Sequence, residues 1–551
     1  MTGGAIPGWT RSHWTRAVAV SAFLTVLHTW PMATAPGTHS RHDNADTMLN
    51  EWIVSWVQHQ LPRSPFDLFQ GNMFYPARDT LAFSEPLIVP ALLGAPVRLA
   101  GGSPVLVHNV LLLLGMTLSM LAMYALVREW TGDDAAALVA GAAFAFNAHT
   151  LMRLAHLQAM HAYGLPLALL AADRVITRGR VRDALWLAAW MTVTAYTSGY
   201  LVVFAFFMIA VALLVRAVEW MGRARRVLPQ FAIASVVAGL AIAPLYLPYR
   251  RVALEQHMVR TLENVTDYSG ALRGYLASGS RLHEWLWAGP MFAEPIEPFF
   301  PGVTVLGLTI FALASTRRET RSRVTMFVAI AVLGIVMSLG TRTPIYGWIY
   351  GIFPPLSGIR VAARFGNLFL FGMAALAGFG VWQVRARLPP RAAAALSGVA
   401  LALVTIESVD APMAYRRFDG IPGMYALLAQ EPGDVVLVEQ PFYPPQAVFE
   451  NAEYVLNATA HWRPLVNGYS GYTPATYRTF TETFWFFPRP HSIDAMLRAG
   501  VTHVMVHPNR FGELAADVIR ISDEDGRLEK LAVGRNGLTL YRLRPSSSAQ
   551  Q

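Results

Sequence analysis

His42-Asp-Asn-Ala-Asp46-Thr-Met-Leu-Asn-Glu-Trp52-Ile-Val-Ser-Trp56-Val-Gln-His-Gln-Leu61 is the stretch on which the reading of this chain turns. From Thr47 onward, Leu49, Trp52, Ile53, Trp56, Val57 and Leu61 recur at spacings of three and four, the period of a helix with one apolar face. Asn50, Glu51, Ser55, Gln58 and His59 fall on the other face. Tryptophans on such a helix suit the headgroup level of a bilayer, so the pattern predicts an amphipathic helix lying at a membrane surface. Asp46 stands at its start. A carboxylate there accepts backbone N–H bonds and faces the positive helix end, which makes it an N-cap. A carboxylate at a bilayer–water boundary is also placed to act as a base on an acceptor hydroxyl. Solvated carboxylates are already ionised at neutral pH, so that role needs position more than tuning. The two readings are compatible.

The surroundings of this stretch are those of a polytopic membrane protein. The 551 residues are 54% hydrophobic and 14% charged, where a soluble domain carries about 25% charged residues. Mean hydropathy is +0.37. Runs such as Val105–Val127, Phe231–Leu247 and Phe365–Val384 approach the roughly 20 apolar residues that cross a hydrocarbon core. Counting such runs gives about eleven spans, at 17–36, 104–127, 134–148, 160–176, 184–198, 199–215, 229–248, 300–316, 324–340, 363–384 and 392–409. The run Pro86–Ala100 is short, contains Pro90 and Pro96 and ends near Arg98, so it reads as a re-entrant or interfacial segment. With no cysteine in the chain, disulfides, thiolate metal sites and cysteine nucleophiles are excluded.

Arginines set the expected orientation. They cluster at Arg11 and Arg16; Arg128; Arg174, Arg178, Arg180 and Arg182; Arg216, Arg223, Arg225 and Arg226; Arg317, Arg318, Arg321 and Arg323; and Arg385, Arg387 and Arg391. Short arginine-rich loops stay cytoplasmic. The N-terminus is then expected inside the cytoplasmic membrane, and the long polar stretches 37–103, 249–299 and 410–551 outside it. The formal charge of +9 is therefore topology and not a nucleic-acid footprint. Arg11, Arg16, the run Ala17–Leu27 and Ala33-Thr-Ala35 also resemble a signal peptide with its cleavage site; an uncleaved first span fits a polytopic chain better.

The division expected is a membrane domain over 1–410, including the outer loops 37–103 and 249–299, and an extracytoplasmic α/β domain over 411–551. In the latter, Val435–Glu439 and Val501–Val506 are short apolar runs bounded by glycine or proline, suited to buried strands. Ser492–Arg498 before Gly500 reads as a helix. Leu531-Ala-Val533 and Leu538–Leu543, joined across Asn536-Gly537, read as a hairpin. The loop His461–Tyr472 mixes aromatic and polar groups; it suits either stacking on a sugar or docking onto the membrane domain.

One span, a long outer loop opening on an acidic residue, a helix after it and about ten further spans resemble a GT-C glycosyltransferase. The stretch Asp46–Leu61 is similar to the first loop of bacterial members of that superfamily. Asn72-Met-Phe-Tyr-Pro76 and Leu81-Ala-Phe-Ser-Glu-Pro86 resemble the segments that come next in those proteins. The likeness is strongest over 17–250. It implies inverting sugar transfer at the outer face, from a polyprenyl-phosphate-linked donor to a glycan, lipid or protein acceptor. In the family an acidic residue early in the first outer loop is the base, which falls on Asp46 or Asp43. Family members include cation-dependent and cation-independent enzymes, so a divalent cation stays open as a cofactor.

Donor chemistry asks for cations near the leaving phosphate, and arginine matches phosphate oxygens bidentately. Arg360 and Arg364, four apart before the 363–384 span, project from one side if that segment is helical; headgroup snorkelling is the plainer account. Arg250 and Arg251, after Tyr246 and Tyr249, form a second pair. Glu85, Tyr249, His149, Arg153 and His156 are candidate substrate contacts. His149, His156 and His161 lack the spacing of a helical zinc pair and have no acidic partner nearby in sequence, so no metal site is assigned. The competing functions are a transporter or flippase of a lipid-linked or polar substrate, and a non-catalytic envelope-assembly protein. Transporters show internal repeats and ionisable groups buried in spans; no repeat is evident here, although His28 and Glu407 lie in or near spans.

Overall fold

A computed structural model of the chain describes residues 11–256, 258 and 261–544. The side chain of Arg11, named in the first arginine cluster, lies outside the described residues. By contacts the chain forms two compact units: one of Met1–Pro36, Asn109–Leu245 and Val259–Ala414, the other of Gly37–His108, Tyr246–Met258 and Tyr415–Gln551. This division is not a single cut after residue 410, because the first long loop groups with the C-terminal segment.

The first unit is helical, and each of the eleven predicted runs falls on a helix. Among the described residues, six helices are long and apolar enough to cross a membrane: Pro104–Thr131, Asp134–Met152, Ala217–Glu255, Arg318–Ser338, Ala362–Arg385 and Pro390–Ser408. Helix Gly366–Arg385 is the centre of packing, with Leu368, Phe371, Ala375 and Phe379 all buried. It lies against Asp134–Ala145, Val303–Ala314 and Arg321–Ser338. A Cβ at Gly380 would stand 2.1 Å from the Leu308 carbonyl oxygen, and one at Gly372 2.7 Å from that of Phe327. Close backbone approach at small residues is how helices gain packing where the solvent is itself apolar.

The arginine-rich turns meet at one end of these helices. Arg128 pairs with Asp134 at 2.5 Å, Arg385 with Asp133 at 2.7 Å and Arg178 with Glu129 at 3.0 Å. Arg216, only 1% exposed, lies between Asp173 and Glu219, each at 2.6 Å. Arg323 reaches the same Asp173 at 3.5 Å. Arg128, Arg178, Arg216, Arg323 and Arg385, from five of the six clusters that set the expected orientation, are thus ion-paired with acidic residues of neighbouring segments.

The second unit holds two sheets. Strands β1 (His39–Ser40) and β2 (Arg416–Arg417) pair antiparallel, tying the first long loop to the start of the C-terminal segment. Strands β3 (Leu437–Gln440), β4 (His503–Val506), β5 (Leu528–Val533) and β6 (Thr539–Leu543) form a sheet in the order β3-β4-β6-β5. β3 and β4 are parallel, and β6 is antiparallel to both its neighbours. Asn536 and Gly537 have φ of 60° and 75°, the left-handed turn geometry that Asn-Gly supplies with little strain. Helix Pro490–Arg498 covers the predicted 492–498 segment.

Helix Ala45–Gln60 forms, but it is not an amphipathic surface helix. Asn50, Glu51 and Ser55 on its polar face are as buried as Trp52 and Ile53 on its apolar one. It packs against Ile88–Leu99 and Ala452–Asn457, and the second of these comes from a distant segment that single-helix periodicity cannot register. Its tryptophans bond inside the unit: Trp52 Nε1 donates to Asn72 Oδ1 at 2.9 Å, and Trp56 Nε1 to the Leu68 carbonyl at 2.8 Å. The loop 461–472 docks on this same first long loop. Tyr75 N donates to the Leu465 carbonyl, Phe74 N to that of Asn467, and Leu465 N to that of Asn72, while Trp462 stacks on His59 with centroids 4.1 Å apart.

Candidate active site

The candidate residues form two groups, one in each unit. In the second unit the start of helix Ala45–Gln60 decides the environment of the acidic pair. Its N-cap is Asn44, whose side chain accepts from the Asp46 backbone N at 2.9 Å. The expected N-cap role of Asp46 is therefore taken by the residue two before it. Asp46 lies in the first turn, half-buried, and its Oδ1 accepts the Tyr469 hydroxyl at 2.7 Å. Asp43 is exposed and is engaged by Arg41, with Nε to Oδ1 at 3.2 Å. Of the two carboxylates, Asp46 is partly shielded and held by a neutral donor, and Asp43 is neutralised by its neighbour.

The same helix carries a carboxylate that sequence reading assigned to a solvated face. Glu51 is fully buried and accepts from His42 Nε2 at 2.7 Å. The polar periodicity signalled it, but only the covering C-terminal segment turns that face inward.

Arg250 and Arg251 lie near the end of helix Ala224–Glu255. Arg251 pairs with Asp79, Nε to Oδ2 at 3.2 Å, so its charge is already matched inside the unit. Asp79 is pushed up from the usual carboxylate range by burial, which the nearby Arg251 opposes. Arg250 is exposed. The Tyr249 hydroxyl donates to the Ser84 carbonyl at 2.8 Å, pinning the stretch that carries half-buried Glu85.

In the first unit the other candidates gather at the helix ends away from the arginine-rich turns. Arg360 and Arg364 do not share a helix face: Arg360 is in extended loop and Arg364 in the short 3-10 turn Ala362–Phe365. Each instead lies over an aromatic ring, Arg360 over Tyr268 and Arg364 over Tyr200, both 4.7 Å from the centroid. Tyr200 also fixes the backbone between them, its hydroxyl accepting from Arg360 N at 3.2 Å and Val361 N at 3.1 Å. Cation–π contacts hold a guanidinium in place while leaving its in-plane N–H groups for an anion. Tyr200 was missed from sequence; it lies in the first turn of helix Gly199–Val215, more than 150 residues from its partners.

His149 and Arg153 share an acidic partner from a segment distant in sequence. Arg153 pairs with Glu297, and His149 Nδ1 stands 3.7 Å from the other carboxylate oxygen. Burial would raise the Glu297 carboxyl, but Arg153, His149 and Arg364 together hold it below its ordinary range. His156 is half-buried at the start of the short helix Leu157–Met160, whereas buried His161 bonds the Leu111 carbonyl at 3.0 Å. Among the described residues no group of three or more His, Asp or Glu side chains converges to hold a metal ion.

No protein-family model and no curated protein matches the sequence. Solved structures do match. Over 98% of this chain and 40% of the other, the mycobacterial arabinofuranosyltransferase AftD superposes with a TM-score of 0.61 at 16% identity. The Archaeoglobus fulgidus oligosaccharyltransferase in its apo form superposes with a TM-score of 0.51 at 12% identity, over 98% of this chain and 75% of the other. The chain thus spans well under half the length of AftD. It shares the fold of these two transferases.

Proposed function

We propose that this protein transfers a sugar from a polyprenyl-phosphate carrier to an acceptor hydroxyl, with inversion, at the outer face of the cytoplasmic membrane. The observation that carries the reading is the half-buried Asp46 carboxylate held by Tyr469 in a chain of GT-C fold. Both structures of like fold are sugar transferases by name.

In this reading Asp46 takes the proton of the acceptor hydroxyl as its oxygen bonds to the anomeric carbon. The bond from that carbon to the phosphate oxygen breaks, and the electron pair leaves with the polyprenyl phosphate. Attack opposite the leaving group inverts the anomeric centre. Arg360 and Arg364, each backed by a tyrosine ring, are the first unit's own candidates for holding a lipid-linked phosphate. Arg251 is assigned to structure, since Asp79 already matches it.

The test is to supply the purified protein with polyprenyl-monophosphate sugars and hydroxyl acceptors. The reading requires free polyprenyl phosphate and a glycosylated acceptor of inverted configuration in equal amounts. Movement of the intact lipid-linked sugar across a vesicle bilayer without transfer would instead support a flippase.

A further inference from the structure

Around Glu297 the first unit gathers hydrogen-bond donors that its carboxylate leaves unsatisfied. Arg153 pairs with one of its oxygens and His149 approaches the other. Arg364 is near enough to interact electrostatically with Glu297, Arg153 and His149. Even so, Arg153 Nε and Arg364 Nε are buried with no hydrogen-bond acceptor among the described residues. Each guanidinium presents five N–H donors in a planar fork, and a buried donor without an acceptor is costly. A phosphate, with more acceptor oxygens and up to about two negative charges, suits that donor set better than a carboxylate. The charges agree: two guanidinium groups, Arg153 and Arg364, face the single carboxylate of Glu297.

Resting on the assignment of Arg360 and Arg364 to a lipid-linked phosphate, we infer that Glu297 is a built-in competitor for that phosphate. Its carboxylate holds Arg153, and an arriving phosphate displaces it and takes Arg153 as a third cation. The exchange needs only side-chain rotation. The backbone just after Glu297 is pinned, with Phe299 N donating to the Gly274 carbonyl at 2.7 Å and Phe300 N to that of Ala277 at 3.0 Å. The Glu297 side chain is 32% exposed, which leaves water for it to turn into. The device also serves release. Transfer converts a phosphodiester into a monoester of higher negative charge, and three arginines would retain that product tightly. A carboxylate returning to Arg153 weakens the hold.

The experiment measures binding of a polyprenyl monophosphate to the detergent-solubilised full chain, with inorganic phosphate as competitor to separate headgroup from lipid contributions. Glu297→Gln is expected to bind at least about fivefold more tightly than the parent, a modest factor because the site is partly screened by solvent. Glu297→Asp, with a shorter reach to Arg153, falls between the two. Equal or weaker binding by a Glu297→Gln protein of unchanged melting temperature overturns the inference. If that variant does not fold, Glu297→Asp decides in the same way. Arg364→Ala separates the two claims. Unchanged binding there removes the phosphate assignment itself, whereas weakened binding there with no gain in Glu297→Gln removes only the competitor.

Discussion

Tyr469 donates its hydroxyl to Asp46 at 2.7 Å across 423 positions of sequence. The bond joins the first turn of helix Ala45–Gln60 to the loop 461–472, so a segment far along the chain orients the carboxylate assigned as base. Tyr469→Phe keeps the ring and removes the donor. A hydrogen bond to a charged group is worth about 1.5–3 kcal/mol, so transfer should fall by about tenfold or somewhat more while the melting temperature changes little. Steady-state kinetics check this, with the loss expected in kcat; an unchanged kcat would show that the bond does not orient a reacting group.

Arg360 and Arg364 lie over different rings, and their roles can be separated. Arg360→Ala should raise the KM for the lipid-linked donor while leaving acceptor dependence alone, because a phosphate contact acts on one substrate only. Tyr200→Phe, which keeps the ring under Arg364 but removes the acceptor for Arg360 N and Val361 N, should produce a smaller shift in the same direction. Equal effects on donor and acceptor would favour a general structural role for the turn.

Arg216 carries a stability prediction independent of function. It is buried between Asp173 and Glu219, and removing one partner of a buried ion pair strands the others' charge. Arg216→Ala should cost about 3–5 kcal/mol, visible as a marked drop in melting temperature in detergent. A change of only a degree or two would mean that the carboxylates are rehydrated at little cost.

The second unit should lose stability in mild acid. Burial depresses the His461 imidazole to about 3, with Arg463 adding to the effect. His59 falls to about 4, again through burial first and then Arg63 and Arg98. The unfolded chain takes up these protons near the ordinary value of about 6.5 and the folded chain does not. Between pH 6.5 and about 3 the unfolded state therefore binds more protons, and stability falls as pH falls through that window. His461→Gln should flatten the decline in melting temperature between pH 7 and pH 4; an identical slope would place the acid sensitivity elsewhere.

The fold was legible where its cause is local. Apolar runs, arginine clusters and the Asn536-Gly537 turn each announce themselves within a few residues, and helices, paired arginines and hairpin lie at those positions. What periodicity could not reveal is which surfaces are later covered. Helix Ala45–Gln60 has the pattern of an interfacial helix, yet Ala452–Asn457 and the loop 461–472 bury its polar side. The site was legible in part for the same reason. Asp46, Arg360, Arg364, His149 and Arg153 stand out by residue type and place. Tyr469, Tyr200, Glu297 and the buried Glu51 matter through partners brought from elsewhere by the fold, and the capping by Asn44 needed backbone geometry.

The proposed chemistry depends above all on Asp46 as the base. Its most direct test compares Asp46→Asn and Asp43→Asn for sugar transfer from a polyprenyl-monophosphate donor, with expression and melting temperature matched to the parent. Asp46→Asn is expected to abolish transfer, and Asp43→Asn, which alters only an exposed pair with Arg41, to retain most of it. Full activity in Asp46→Asn, or loss in Asp43→Asn alone, would contradict that assignment.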